Sequence, residues 1–408
     1  MSNDGNHGFD LVIQNAFVFD GVKKLPGTIN VGVNGDAIAR LSSEPLQGRE
    51  TIDASGCWLT PGLIDSHVHL YDFYNCTDPA RMAYYLDEQL PGNLRSFLEY
   101  GITTIKSVGD PVPELLATRA RLAAGELVGP LLLMTGTGIS APKGHPSETV
   151  YGRNPWYRGR VGGEVDTVER ARATVTEMAE LGMDAIKLLF QGGCACHGEP
   201  DYKFHGQVPI VRLKLDVLAA AIDEAHRHGL KATVHTHEQE RALEALEAGA
   251  DGLEHGVVAD LISDDRLIEL LLKNDASWVP TLWVYPTPEA YRNLATVHEA
   301  GVRIALGTDS FPPTAIIEGF AFDSGTFGAN SIVEAERMAE AGLSAVEILK
   351  SATSGAAIHL GRDDLGVIDQ GKRADLLLFR ADPTESVKNL HDPLLVVAAG
   401  RVEVNGTC

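Results

Sequence analysis

Basic residues are scarce in this chain of 408 residues, which has 34 lysines and arginines against 56 aspartates and glutamates. The net charge of −22 at pH 7 disfavours nucleic acid and anionic membranes as partners, because both repel an acidic protein. No run approaches the roughly 18 consecutive apolar residues of a membrane-spanning helix. The polar start MSNDGNHGFD does not resemble a secretion signal. We therefore expect a soluble cytoplasmic protein that binds small molecules and further copies of itself.

Cysteine is also rare, and five cysteines in a chain of this length do not suggest a disulfide framework. Cys194 and Cys196 stand close together in the loop QGGCACHGEPDYKFHG. We favour incidental loop thiols over a thiolate metal site. The loop is longer than a minimal strand-to-helix connection, so it is either a lid or a packed surface loop. Its candidate lid residues are His197, Tyr202 and His205.

Between residues 61 and 355, helical patterns alternate with short apolar strands. This alternation and the length predict an α/β fold, a parallel (β/α)8 TIM barrel. The segments at both ends, 1–60 and 356–408, instead contain short alternating runs separated by glycine, proline and asparagine. Such runs are typical of antiparallel strands.

His67 and His69 lie two residues apart in the run PGLIDSHVHL. A strand directs such residues to the same face, so both rings can bind one metal ion. Further ligand-type residues stand at or near the ends of other apolar runs: Lys187, His235, His255 and Asp309. Each alone has an ordinary explanation, as a core histidine, a snorkelling lysine or a helix-capping aspartate. Together they favour one site, because the carboxyl ends of barrel strands surround a common mouth.

The motifs TPGLIDSHVHL, GITTIKSVGD, DAIKLL, VHTHE with EHG, LGTDS and GKRADLLLF together resemble the amidohydrolase superfamily over nearly the whole chain. The resemblance implies a small β-sandwich formed jointly by 1–60 and 356–408 beside the barrel. It also implies two divalent ions, with zinc as the default and cobalt, manganese or iron as alternatives. The implied ligands are His67, His69 and Asp309 for the more buried ion, His235 and His255 for the more exposed one, and Lys187 as a bridging carbamate.

The resemblance predicts an activity, the cleavage of an amide bond by a metal-bridging hydroxide. Asp309 would take up the proton and return it to the leaving nitrogen. The pattern is most similar to the imidazolonepropionase-related branch, whose Xaa-Pro dipeptidases and N-acyl amino acid hydrolases cut beside a free carboxylate. His237 departs from the tyrosine that dipeptidase relatives often have, which puts a simple prolidase assignment in doubt.

A substrate carboxylate needs cations, and the loop 139–160 contains several beside aromatic residues. His145 resembles a histidine that related dipeptidases place against the scissile carbonyl, where it would stabilise the oxyanion. The expected substrate-binding residues are Tyr151, Arg153, Arg158 and His237. The alternative is that the loop arginines are solvated cations on an acidic protein.

Other functions stay open. The same metal centre could hydrolyse a lactone, carbamate, phosphoester or cyclic amide, or deaminate a ring. Lys187 disfavours deamination, because mononuclear deaminase relatives usually lack the bridging lysine. Glu238 leaves deamination possible, because those relatives have a glutamate near the histidine of the fifth strand, here His235. A non-catalytic scaffold would lack part of the ligand set, and none is missing. Lys106 is either the partner of a neighbouring carboxylate or an anion binder, and the sequence does not choose between them.

Overall fold

The computed structural model of the protein describes residues 8–192, 210–314 and 325–406. Strands from both ends of the chain form one eight-stranded sheet in the order β17-β16-β15-β5-β1-β2-β3, with β4 paired to β1. Its strands are β1 Phe9–Val18, β2 Ile29–Asn34, β3 Ala37–Ser42, β4 Gly48–Asp53, β5 Trp58–Pro61, β15 Leu376–Phe379, β16 Leu395–Ala398 and β17 Arg401–Asn405.

The two ends of the chain meet where β5 and β15 pair antiparallel, with Thr60 opposite Leu377. Alternate side chains of this sheet, such as Ile13, Leu59 and Leu376, are buried in a core of their own. The sheet therefore unites the N- and C-terminal segments. Their boundaries at residues 60 and 356 stay a prediction.

The chain between these ends contributes two parallel sheets. One has three strands, β6 Leu63–Val68, β7 Ile102–Ser107 and β8 Leu131–Met134. The other has six strands, β9 Gly138–Ile139, β10 Ala185–Leu189, β11 Lys231–His235, β12 Gly252–Glu254, β13 Ser277–Val279 and β14 Arg303–Ile304.

The segment after β14 lies against β6. Asp309 N–H donates to the His67 carbonyl at 2.8 Å, and His69 N–H donates to the Ser310 carbonyl at 2.8 Å. These bonds bring the first and last strands of the α/β region together. The described strands nevertheless form two separate parallel sheets and not one continuous closed ladder. The structure therefore shows a mixed α/β fold, and the closure of the predicted barrel stays a prediction.

Helices follow most of the parallel strands, and several begin at a side-chain cap. Thr167 accepts a hydrogen bond from Arg170 N–H, and Ser344 forms a capping box with Glu347. The helices are α1 Pro79–Tyr84, α2 Leu90–Glu99, α3 Val112–Ala123, α4 Pro155–Val161, α5 Val168–Glu180, α6 Leu215–Arg227, α7 Gln239–Glu247, α8 Arg266–Lys273, α9 Pro288–Glu299, α10 Ala329–Glu340, α11 Ala345–Ser351 and α12 Ser354–His359. A π-helical turn, Tyr85–Gln89, joins α1 to α2, and a 3-10 turn spans Val387–Leu390. None of the described helices is long and apolar enough to cross a membrane.

Candidate metal centre

His67, His69 and Asp309 form the first group of possible ligands. Their ligand atoms lie within 4.8 Å of one another. Asp309 Oδ1 is 3.1 Å from His67 Nε2 and 3.0 Å from His69 Nε2. The strand pleat turns Val68 the other way, into the core, as the spacing predicts. Asp309 has a φ of 59°, a left-handed conformation that is costly for a residue other than glycine and is often found at functional sites.

The second group is formed by His235, His237 and His255, all buried, whose ligand atoms also lie within 4.8 Å of one another. Gln191 joins the first two: its Oε1 is 2.9 Å from His235 Nε2, and its Nε2 is 2.9 Å from His237 Nδ1. In this arrangement His235 donates from Nε2 and keeps the Nδ1 lone pair for a metal. Gln191 was not identified from the sequence as a residue of the site.

The same amide gives His237 a different role. Burial lowers the pKa of His237 to about 3, so its imidazole is neutral and carries one proton. Because Gln191 Nε2–H donates to Nδ1, that proton lies on Nε2. A nitrogen that carries a proton cannot bind a metal. The geometry therefore favours His237 as a hydrogen-bond donor and not as a third ligand.

His255 directly follows β12, and its ring packs against a histidine of each group. Its ring centroid is 4.9 Å from that of His67 and 4.5 Å from that of His235. Nδ1 lies 2.8 Å from Thr281 Oγ1, a contact in which the ring can donate and leave Nε2 as the ligand atom. Gly256 comes next, and a Cβ there would lie 2.1 Å from the Trp278 ring, so the EHG motif requires glycine at this point.

Lys187 lies in β10 and is 2 % exposed. Its Nζ is buried and has no hydrogen-bond partner among the described residues. Burial lowers the pKa of this amine to about 8, although Glu254 and Asp309 oppose the shift. An unpaired buried lysine of this kind costs stability, which points to a functional role.

A buried network lies behind His67. Glu254, the last residue of β12, accepts from His67 Nδ1 at 2.7 Å and from Lys106 Nζ at 2.8 Å. Lys106 Nζ is also 2.9 Å from His359 Nε2. Burial alone would raise the pKa of Glu254, but Lys106 and His67 hold it well below its usual value. Lys106 is therefore the partner of a carboxylate, the first of the two roles considered for it.

One cavity is lined by all six predicted ligands, His67, His69, Lys187, His235, His255 and Asp309, whereas His237 does not line it. His145 and Tyr151 line it as well. His145 stacks on His235 with a centroid distance of 4.6 Å, and its Nδ1 is 2.7 Å from Thr149 Oγ1. The Tyr151 hydroxyl donates to the Gly109 carbonyl at 3.1 Å, so its ring is the part that faces the cavity.

The two arginines predicted to bind substrate do not line this cavity. Arg158 is held by Glu164 at 2.7 Å and by Glu148 at 2.8 Å. Arg153 is exposed on the same loop. Arg158 stays away from the cavity because Glu148 and Glu164 bind it. His237, which was also expected to bind substrate, does not line the cavity either. Cys194, Cys196 and the candidate lid residues lie outside the described residues.

Comparisons with known proteins show what the chain is similar to. The model of the Amidohydrolase family matches residues 58–402. An uncharacterised protein of Mycobacterium bovis is 28% identical over 386 residues, which cover 89% of this chain and 89% of that protein. An adenine deaminase of Serratia proteamaculans is 27% identical over 387 residues, covering 92% of this chain and 54% of the deaminase. The solved structure of a putative prolidase from Bifidobacterium longum is 25% identical and has a TM-score of 0.73, with coverage of 96% of this chain and 94% of that chain.

Proposed function

Because the chain belongs to the amidohydrolase family, and is thus a hydrolase acting on carbon–nitrogen bonds, we propose that it cleaves an amide bond with two divalent metal ions, zinc by default. The observation that carries the proposal is the meeting of two ligand groups and the unpaired Lys187 amine at one cavity. Imidazole and carboxylate donors of this kind suit zinc and its neighbours.

The donor set fits two ions. Burial lowers the pKa of both His235 and His255 well below the usual value, so both rings are neutral, as metal ligands must be. Lys187 joins the set as its carbamate, a carboxylate equivalent with two oxygens. The lowered pKa of Lys187 favours this modification, because the neutral amine is the form that attacks carbon dioxide.

When bound, the ions would lower the pKa of water to near neutrality and polarise the scissile carbonyl. The chain's own residues do the rest. The Asp309 carboxylate receives the proton from the attacking water and returns it to the leaving nitrogen. His145 donates from Nε2 to the carbonyl oxygen when Nδ1 accepts from the Thr149 hydroxyl, and this bond stabilises the developing oxyanion. His237 is buried and does not line the cavity, so its role is to hold Gln191, which in turn orients His235.

Deamination has less support in this chain than amide cleavage. Glu238, the residue that kept it open, is the N-cap residue of α7 and does not line the cavity. The adenine deaminase relatives are also nearly twice as long as the matched segment. Lys187 lines the cavity, where its carbamate would bridge the two ions of a binuclear site.

A substrate panel tests the proposal. Metal-free protein, and the same protein reconstituted with Zn²⁺, Co²⁺ or Mn²⁺, would be assayed against dipeptides, N-acyl amino acids, neutral aryl amides, carbamates, lactones, phosphotriesters and adenine. We expect hydrolysis of an amide only in the reconstituted protein. Turnover of adenine alone, or equal activity after metal removal, would contradict the proposed function.

A further inference from the structure

The wall of the cavity carries little charge. Lys187 and Asp309 are the charged residues among the described residues that line it, and both belong to the proposed metal centre. Away from that centre the wall is aromatic and aliphatic. Its members include Phe73, Tyr151, Phe311, Val150, Val161 and Leu189.

The aromatic part of the wall is a connected cluster beside His69. The Phe73 ring centroid is 6.3 Å from that of His69, 6.0 Å from that of Tyr151 and 5.9 Å from that of Phe311. Edge-to-face contacts of this kind hold the rings in fixed orientations. A group bound beside the metal centre therefore meets ring carbons.

Two arginines of the loop 139–160 are already paired with carboxylates. Arg158 pairs with Glu148 and Glu164, and Arg160 Nε is 2.8 Å from Glu114 Oε1. Moving Arg158 to the cavity would break both of its ion pairs and leave two carboxylates without their partner. These arginines consequently do not offer a fork for a substrate carboxylate.

A substrate carboxylate at this wall, away from the proposed metal ions, would lose its hydration and meet no cation among the described lining residues. An apolar ring at the same wall gains free energy from the burial of its surface. Extending the proposed function, on which this step rests, we infer that the substrate is a neutral amide with an aromatic or similarly bulky apolar substituent, such as an anilide. It carries no free carboxylate, which differs from a dipeptide or an N-acyl amino acid.

Paired ligands of nearly equal size test the inference. N-benzoylglycine and its primary amide, N-benzoylglycinamide, differ in charge, and titration calorimetry with the metal-loaded protein would give both dissociation constants. We expect the neutral compound to bind at least about ten-fold more tightly, because its binding buries no unpaired charge. Equal binding, or tighter binding of the acid, would overturn the inference.

A cation added to the wall provides the second arm. Val150 is half-buried and lines the cavity, so Val150→Lys should shift the ratio of the two constants toward the acid by about ten-fold, whereas Val150→Met adds no charge and should leave it near the wild-type value. A ratio unchanged by the lysine would contradict the placement of the substrate group at this wall.

Hydrolysis of benzanilide and of both paired compounds would be followed in parallel. Metal-dependent cleavage that favours the acid refutes the substrate class and leaves the proposed function intact. Preferential binding of the neutral compound without metal-dependent cleavage of any amide supports the preference of the cavity for neutral ligands and refutes the proposed function.

Discussion

Glu254 accepts a hydrogen bond from His67, with 2.7 Å between Oε2 and Nδ1. The bond places the His67 proton on Nδ1 and directs Nε2 toward Asp309, 3.1 Å away. Glu254 also precedes His255, so one short strand both orients a ligand of the first group and supplies a ligand of the second. Such supporting contacts set the orientation and basicity of metal-binding histidines.

Replacement of Glu254 tests this role. Glu254→Gln should weaken metal binding by His67, His69 and Asp309 by about 10- to 100-fold, because the histidine loses its charged acceptor. Competition with a chelator would measure the affinity. The Glu254→Gln variant also leaves the Lys106 ammonium buried without its carboxylate, which can destabilise the fold. The double variant Lys106→Met/Glu254→Gln removes that unpaired charge, so it separates the loss of His67 orientation from a loss of folding.

The matched control for this experiment is Glu240→Gln, since Glu240 lies on α7 with 73% of its side chain exposed. It should bind both metals as the wild type does. Unchanged metal affinity in a folded Glu254 variant would show that the carboxylate does not support His67.

Removal of the proposed bridge is the second prediction. Lys187→Ala should lose at least one metal ion and nearly all turnover, and a short carboxylate such as propionate should restore part of the activity by filling the space of the carbamate. Metal content and turnover would be measured with and without propionate. Lys231→Ala is the control, because Lys231 begins β11 and its Nζ donates to the Ile358 carbonyl. Full activity of Lys187→Ala would end the binuclear interpretation.

The proposed function gives Asp309 two roles, metal binding and proton transfer. Asp309→Asn should keep the fold and much of the metal, while turnover falls by about two to four orders of magnitude because an amide cannot accept the proton. Circular dichroism, metal analysis and steady-state kinetics would separate these effects. A loss of activity below about ten-fold would assign the base to another residue.

Glu334 on α10 makes stability depend on pH. Its carboxylate accepts from Leu282 N–H at 2.9 Å and from Trp283 N–H at 2.6 Å, and burial raises its pKa from 4.5 to about 8. Between pH 4.5 and about 8, Glu334 therefore keeps its proton in the folded state and has lost it in the unfolded state. The free energy of unfolding should therefore fall as pH rises from about 4.5 to 8, by a few kcal/mol from this group.

Chemical denaturation of wild type and Glu334→Gln across this pH range would check the prediction. The variant cannot ionise, so its stability relative to the wild type should increase with pH. A difference that stays constant between pH 5 and 8 would show that Glu334 does not titrate there.

The candidate ligand residues that meet at the cavity could be recognised from the sequence, because each depends on a local pattern: a spacing of two in a strand, or the end of a buried apolar run. The alternating runs predicted antiparallel strands at both chain ends, and the family resemblance implied that the two ends join, although as a β-sandwich and not as the single sheet observed. Strand pairing through the α/β region was not foreseeable in detail, since it depends on hydrogen bonds between distant segments.

Lys106 was singled out from the sequence, but its partners Glu254 and His359 were not identified, for the same reason. Glu254 and Lys106 are 148 positions apart, and Lys106 and His359 are 253 apart, so no local pattern marks their contacts. Arg158 shows the opposite case. Its partners Glu148 and Glu164 are near in sequence, but only the loop conformation shows that they bind the arginine away from the cavity.

The central claim is that this cavity holds two metal ions that are needed for amide hydrolysis. The most direct measurement is titration of metal-free protein with Zn²⁺ or Co²⁺, with bound metal per chain and amide turnover recorded at each step. The account predicts saturation at two ions per chain, with turnover rising as the second ion binds. Full turnover without metal would contradict the claim. So would a crystal structure of the metal-saturated protein in which no ion lies at His67 or at His235.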